Sequence, residues 1–527
     1  MHAAGGRYKL VAMDYDAVVI GSGPNGLVAA ITLARAGRSE LVVEAAPALG
    51  GAIATQELTL PGFRHDVFSA VHPASVASPV LAELELGRHG LRWIHPELAM
   101  VHPLPDGSAA VLARDLSRTR VSLDAIGPGD GARWQALVEP YLDNWSALRA
   151  TMLAGFPPVA GPARLLAGLG PKRSLELARL MLMPAQALAG DVLHGGGAAW
   201  LYGSALHADA PLDAAGSAIT GLWLNLLGHA VGWPSAEGGA GSIAQALVDC
   251  LHEHGGQART SARAERIHAA HGRVSGVTLA GGDRIAARTV IATTTPQDLV
   301  AMAGDALGDA YVRRALRFRH GPQTFKLDWA LDAPIPWTSD DARRTGTVHV
   351  GGSVAQLRGA LHEVAGGRLP GEPFALLGQQ SIADPTRAPA GKHTAWAYTH
   401  TPPGVDWARR REPFADTLER WIERFAPGFR ERILARHVLA PDDLQRRNAN
   451  LVGGDVGGGS YALDQLIFRP VASLNPYATP LRGLYIGSAS AFPGGSVHGV
   501  AGHAAAKAAL RGAHLPALAR MRRGRRL

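Results

Sequence analysis

The sequence predicts an α/β protein in which a parallel, doubly wound domain is interleaved along the chain with an α+β second domain. Three observations predict it. A strand, glycine turn, helix and strand follow one another at the N-terminus; a strand, glycine loop and helix recur near the C-terminus; and 527 residues, 47% of them hydrophobic, exceed the usual span of one domain.

The first element is the apolar run Tyr15 to Ile20, followed by Gly21, Ser22, Gly23, Pro24, Asn25 and Gly26 and then by an Ala- and Leu-rich helical stretch to Ala36. Leu41-Val42-Val43-Glu44 supplies a second strand ending in a carboxylate. This is the Rossmann-type dinucleotide fingerprint in its full βαβ context. Gly21 permits the tight turn, Gly23 lets backbone approach a pyrophosphate, and Gly26 lets helix pack on strand. The helix start offers free N–H groups to phosphate, and Glu44, with Ala45 after it, is placed to accept from ribose hydroxyls. Gly50 and Gly51 follow closely, a second glycine pair able to pass the pyrophosphate, which points towards FAD.

Composition excludes several classes. Cys250 is the sole cysteine, so neither an intramolecular disulfide nor a redox Cys pair nor a thiolate zinc cluster can form, and redox chemistry needs an organic cofactor or a non-thiolate metal; no metal site is expected. Six of the eight formal positive charges are Arg511, Arg520, Arg522, Arg523, Arg525 and Arg526, in a stretch without an acid, so the body is nearly balanced and nucleic acid is not an expected partner. That tail, 513–527, reads as a solvated end or as a contact for an acidic surface, a partner or anionic lipid. The first twelve residues hold too short an apolar run for a secretory signal. No stretch approaches the about 20 apolar residues that span a bilayer. A cytoplasmic protein is expected, with peripheral membrane contact left open.

With Gly50 and Gly51 in place, the chain resembles the phytoene-dehydrogenase-like branch of the flavin amine oxidase superfamily, nearest to the group named pyridine nucleotide-disulphide oxidoreductase domain-containing protein 2. The likeness continues through Pro61 to Asp66, the Leu206-His207 neighbourhood, and Gly232-Trp233-Pro234. Near the C-terminus it runs through Gly483 to Ala489, Pro493 to Gly499, and Gly502 to Ala506. The resemblance implies that Gly487 and Ser488 approach the pyrophosphate and ribitol, that Val497 runs under the flavin ring, and that backbone near Ala264 meets the adenine. Ser488 stands where many relatives carry an acid.

Between these ends, residues 263–291 read as a small antiparallel meander returning to a buried strand. Gly239-Ala240-Gly241 also opens a helix, but a turn-rich segment precedes it, so it fails the βαβ requirement for a second nucleotide site. Gly453 to Gly459 reads as a bend or lid loop.

These assignments give an FAD domain of 13–75, 226–300 and 441–512, and a substrate domain of 76–225 and 301–440, with the pocket at their interface. Met152 to Gly170 and Leu175 to Ala189 are apolar; a cap or a membrane entrance could use them, as could ordinary buried helices. Candidate proton acceptors are His498, His65, Asp66 and His207, with His498 placed best by its loop. Arg469 could pair with an acid or a substrate carboxylate. The expected activity is FAD-dependent dehydrogenation, desaturation or isomerisation of a hydrophobic, polyene or lipid-like substrate, with electrons passed to oxygen or a quinone. C–N oxidation and a purely regulatory flavoprotein are the alternatives.

Overall fold

The computed structural model of the chain describes residues 14–208 and 210–523. Asp14–Ile20 forms the central strand of the first sheet, parallel to Glu40–Val43 on one side and to Arg284–Ala292 on the other. Gln257–Arg259 and Leu484–Ile486 extend the parallel part at its two edges. Both faces of a parallel sheet must be covered. Ala17 and Val19 pack under helices Pro24–Ala34, Gly241–Glu253 and Val500–Arg523, whereas Val18 and Ile20 face a core that includes Leu299 of helix Pro296–Ala303. The expected meander is present as Ala264–Ala270, Arg273–Leu279 and the first part of Arg284–Ala292; the last three residues of that final strand pair with Leu484–Ile486.

The second sheet has the order Ile433–Leu439, Gln323–Leu331, His393–Thr401, Ala375–Gly378, Thr347–Val350, Met100–Pro103, Ala109–Leu112. Alternation along its strands sorts side chains by face. Phe325, Leu327 and Trp329 pack against Phe414, Leu418 and Trp421 of helix Trp407–Glu423. Thr324, Lys326 and Asp328 take the other face, in register with His400, Tyr398 and Trp396. A helical layer between residues 116 and 231 closes around Trp134 and Trp200.

The strands of the first sheet fall in the three stretches assigned to the FAD domain, and those of the second in the other two. The expected joints at 225/226 and 300/301 need correction, because each cuts a helix. Ala218–Val231 packs through Leu222 and Leu226 into the helical layer, and Pro296–Ala303 packs through Leu299 and Met302 onto the first sheet. The apolar stretch from Leu175 to Ala189 falls on two helices, since Ala160–Leu180 ends and Pro184 leads into Ala185–Val192. The last helix carries the backbone to Arg523, through most of the expected tail; Met13 and residues 524–527 lie outside the described residues.

Candidate functional site

The glycine turn is built as its spacing demands. Gly21 has φ +94°, a conformation that favours glycine, and a side chain on Gly26 would lie 1.9 Å from the Gly21 carbonyl oxygen. Gly23 differs: a Cβ there would meet nothing within 4 Å. It faces open space at the start of helix Pro24–Ala34, which no side chain caps. Gly51 passes so close that its Cβ would sit 2.9 Å from the Gly23 Cα. Two backbone segments thus form one cradle beside unsatisfied N–H groups, which is the environment a pyrophosphate requires.

Glu44 ties this cradle together. Its carboxylate accepts from the Ser22 amide at 2.8 Å, the Ser22 hydroxyl at 2.7 Å and the Ala46 amide at 2.8 Å, while the Ser22 hydroxyl accepts from the Gly50 amide at 3.1 Å. Ala45 beside it is exposed. The Ala262 amide donates to the Glu44 carbonyl at 2.7 Å, which brings the approach to Ala264 alongside. The C-terminal segment closes the other side. The Gly487 amide donates to the Ala292 carbonyl, Ser488 is buried, and Asn25 accepts from the Gly502 amide at 3.4 Å. The Val497 carbonyl accepts from Ser75.

The four candidate proton acceptors are not brought together. His498 is buried; its Nδ1 accepts from the Val500 amide at 3.1 Å, so Nε2 carries the proton and donates to the Gly495 carbonyl at 3.0 Å. Both nitrogens therefore fix the ring's own loop, and burial holds its pKa down to about 4. Asp66 is also committed, accepting from Thr55, the Ala240 amide and Arg387 at 2.7–2.8 Å. Arg387 bonds Asp384 as well, so this buried cluster staples the second domain to the first. His207 lies in the helical layer with its Nε2 3.0 Å from Nε2 of His349, held down to about 3 by burial. Arg469 pairs with no acid among the described residues; it donates to the Gly458 carbonyl at 2.6 Å and lies between the rings of Phe318 and Tyr461.

His65 leads to the residues that sequence reasoning missed. Its Nε2 lies 2.8 Å from the Thr59 hydroxyl and its Nδ1 3.7 Å from Asp328. Burial, helped by Lys326, pushes its pKa down to about 3. Lys326 spans both oxygens of Asp328 at 2.5 and 2.6 Å and lies 5.9 Å from the ring centre of Trp396, which stacks with Tyr398. Burial raises the Asp328 carboxyl to about 6 against the opposing pull of Lys326. The Asp328 carboxyl therefore titrates closer to neutral pH than an ordinary carboxyl does. The signal lay in the alternation: Thr324, Lys326 and Asp328 interleave with Phe325, Leu327 and Trp329, polar residues on one face of a strand otherwise fit for a core.

The family model of the flavin containing amine oxidoreductases matches residues 25–510, from the glycine turn to the last helix. The chain belongs to the flavin-containing amine oxidoreductase family. It is an oxidoreductase, and its cofactor is FAD. Within this family it is 29% identical over 554 residues to pyridine nucleotide-disulfide oxidoreductase domain-containing protein 2 of Rattus norvegicus, covering 94% of this chain and 93% of that one. A component of the limonene dehydrogenase of Castellaniella defragrans is 25% identical over 93% of this chain and 94% of its own. A neurosporene-forming phytoene desaturase of Cereibacter sphaeroides is 25% identical over 52% of this chain and 53% of its own. Among solved structures, an oxidoreductase from Methanosarcina mazei covers 95% of this chain and 100% of its own, with a TM-score of 0.65 at 17% identity, and a putrescine oxidase variant covers 96% and 99%, with a TM-score of 0.61 at 15%. The last two show the fold.

Proposed function

We propose that this oxidoreductase dehydrogenates, desaturates or isomerises a neutral hydrophobic substrate of polyene or terpene type, seated against the polar face of the second sheet. The observation that carries the reading is the state of Asp328. Among the named side chains of that face it is the carboxylate, and both its oxygens accept from Lys326, so a substrate ammonium finds no free counter-charge. A cationic amine is therefore disfavoured, while Trp396, Tyr398 and Leu376 offer apolar contact. The full-length likeness to the limonene dehydrogenase component and the half-length likeness to phytoene desaturases support a hydrocarbon-like substrate.

Gly23, Gly51 and the helix start at Pro24 to Gly26 would hold the pyrophosphate of FAD, with Gly487 and Ser488 at its far side and Glu44 holding the turn and accepting from ribose. FAD supplies the acceptor for two electrons, which pass on to oxygen or a quinone. Lys326 and Asp328 neutralise each other on this face, which suits a substrate without charge.

The test is anaerobic mixing of the holoprotein with monoterpenes, carotenoid precursors and primary amines, following the visible flavin absorbance. Bleaching by a hydrocarbon and not by amines supports the proposal. Bleaching by amines alone would convert it to C–N oxidation, and stable oxidised flavin with every compound would favour a regulatory or binding role.

A further inference from the structure

Two long stretches of this sequence contain no acid: residues 144–175 and everything from Gln465 onward. Distant in sequence, they meet on the surface. The Phe156 ring packs 6.4 Å from Phe468, and the Phe156 amide donates to the Tyr477 hydroxyl at 2.8 Å.

Where they meet, large apolar side chains stand in solvent. Val159, three residues from Phe156, is 67% exposed, Phe468 53% and Leu474 86%. Single exposed apolar residues are ordinary, but a group of them on joined segments marks an interaction surface. Phe156 and Leu474 also line a groove of about 1330 Å³ along the edge of the first sheet and the last helix. Its other walls carry Arg38, Arg273, Arg288, Arg482, Lys507 and Arg511, none of which forms an ion pair with an acid among the described residues. The acid in the groove, Asp16, already accepts from the Ser39 amide at 3.1 Å.

We propose that this face docks the protein on an anionic lipid bilayer. Unpaired cations beside exposed apolar side chains match a surface that is negative at the headgroups and apolar just beneath. An acidic protein segment would satisfy the cations and leave Val159, Phe468 and Leu474 uncovered, which is why a bilayer fits better. Among the described residues no helix is long and apolar enough to cross a membrane, so the contact is interfacial. The face also adjoins the cofactor end, since the Tyr477 hydroxyl that holds Phe156 donates to the Phe492 carbonyl at 3.1 Å, in the loop that leads to Val497. Delivery of a bilayer-dissolved substrate there rests on the function proposed above; docking itself does not.

Flotation of the holoprotein with phosphatidylcholine vesicles, with and without phosphatidylserine, tests this. The protein should float with the anionic vesicles only and be released by high salt. Two double variants, Phe468→Ser with Leu474→Ser and Arg482→Gln with Lys507→Gln, should each weaken binding by about tenfold or more while keeping the flavin absorbance. Changing the five terminal arginines from Arg520 to Arg526 to Gln should leave most of the binding. The proposal is overturned if the wild type ignores anionic vesicles, if both double variants bind like wild type, or if the tail variant alone loses binding. Retention on a polyglutamate resin without vesicle binding would also overturn it, in favour of an acidic protein partner.

Discussion

Two glycine turns open two helices that lie side by side on the first sheet, Gly21 to Gly26 before Pro24–Ala34 and Gly239 to Gly241 before Gly241–Glu253. Written out, they are nearly interchangeable. In space they are opposites. A Cβ on Gly23 would enter empty space, whereas one on Gly239 would lie 2.1 Å from the Thr55 hydroxyl. The second helix start is already capped: the Gly241 amide donates to Thr55 at 2.9 Å and the Ala240 amide to Asp66 at 2.7 Å. The first has no side-chain cap. A glycine turn therefore becomes a nucleotide site when its amides are left for a ligand, and a structural joint when the protein satisfies them first.

The largest test of this contrast is Gly23→Val. Its backbone, with φ −60°, accepts a side chain, so the protein should fold, yet the cradle is filled and the purified variant should lose nearly all flavin absorbance. Full FAD occupancy would refute the site. At the capped turn the reverse is expected. Asp66→Ala removes the cap and half the pairing of buried Arg387, costing about 3–5 kcal/mol in denaturant melts, with FAD occupancy of the folded fraction unchanged.

Acid probes the same joint through His65, which neighbours that carboxylate. Its folded pKa is about 3, while the unfolded chain takes up the proton near 6.5. Its contribution is complete above pH 6.5 and is lost as pH falls towards 3, about 2 kcal/mol by pH 5, so the urea midpoint should drop over that window and drop less in His65→Gln. The smallest effect is expected from Thr55→Val, which removes one hydroxyl cap at about 1 kcal/mol and leaves the flavin in place. Loss of flavin in that variant would erase the distinction between the two turns.

Local pattern made the cofactor turn, the meander and the C-terminal strand and helix readable, because each is decided by residues within a few positions of one another. The alternation at Gln323–Leu331 was equally local, and it announced a polar sheet face that only the pairing with His393–Thr401 assembled. His498 looked suitable by its place in a glycine loop, but its two ring nitrogens are used within two or three residues on either side, a detail of loop closure that composition does not reveal.

The sequence by itself determined that this is a nucleotide-binding α/β chain with a glycine turn poised for phosphate, no thiol chemistry and two acid-free stretches, since periodicity, glycine spacing and charge are properties of neighbouring residues. Tertiary structure alone decided which turn stays open, that Asp66 meets Arg387 across 321 residues, and that Lys326 closes over Asp328 beneath His65. Those outcomes depend on which groups exhaust one another's hydrogen bonds once water is excluded, and that is settled by contacts between distant segments.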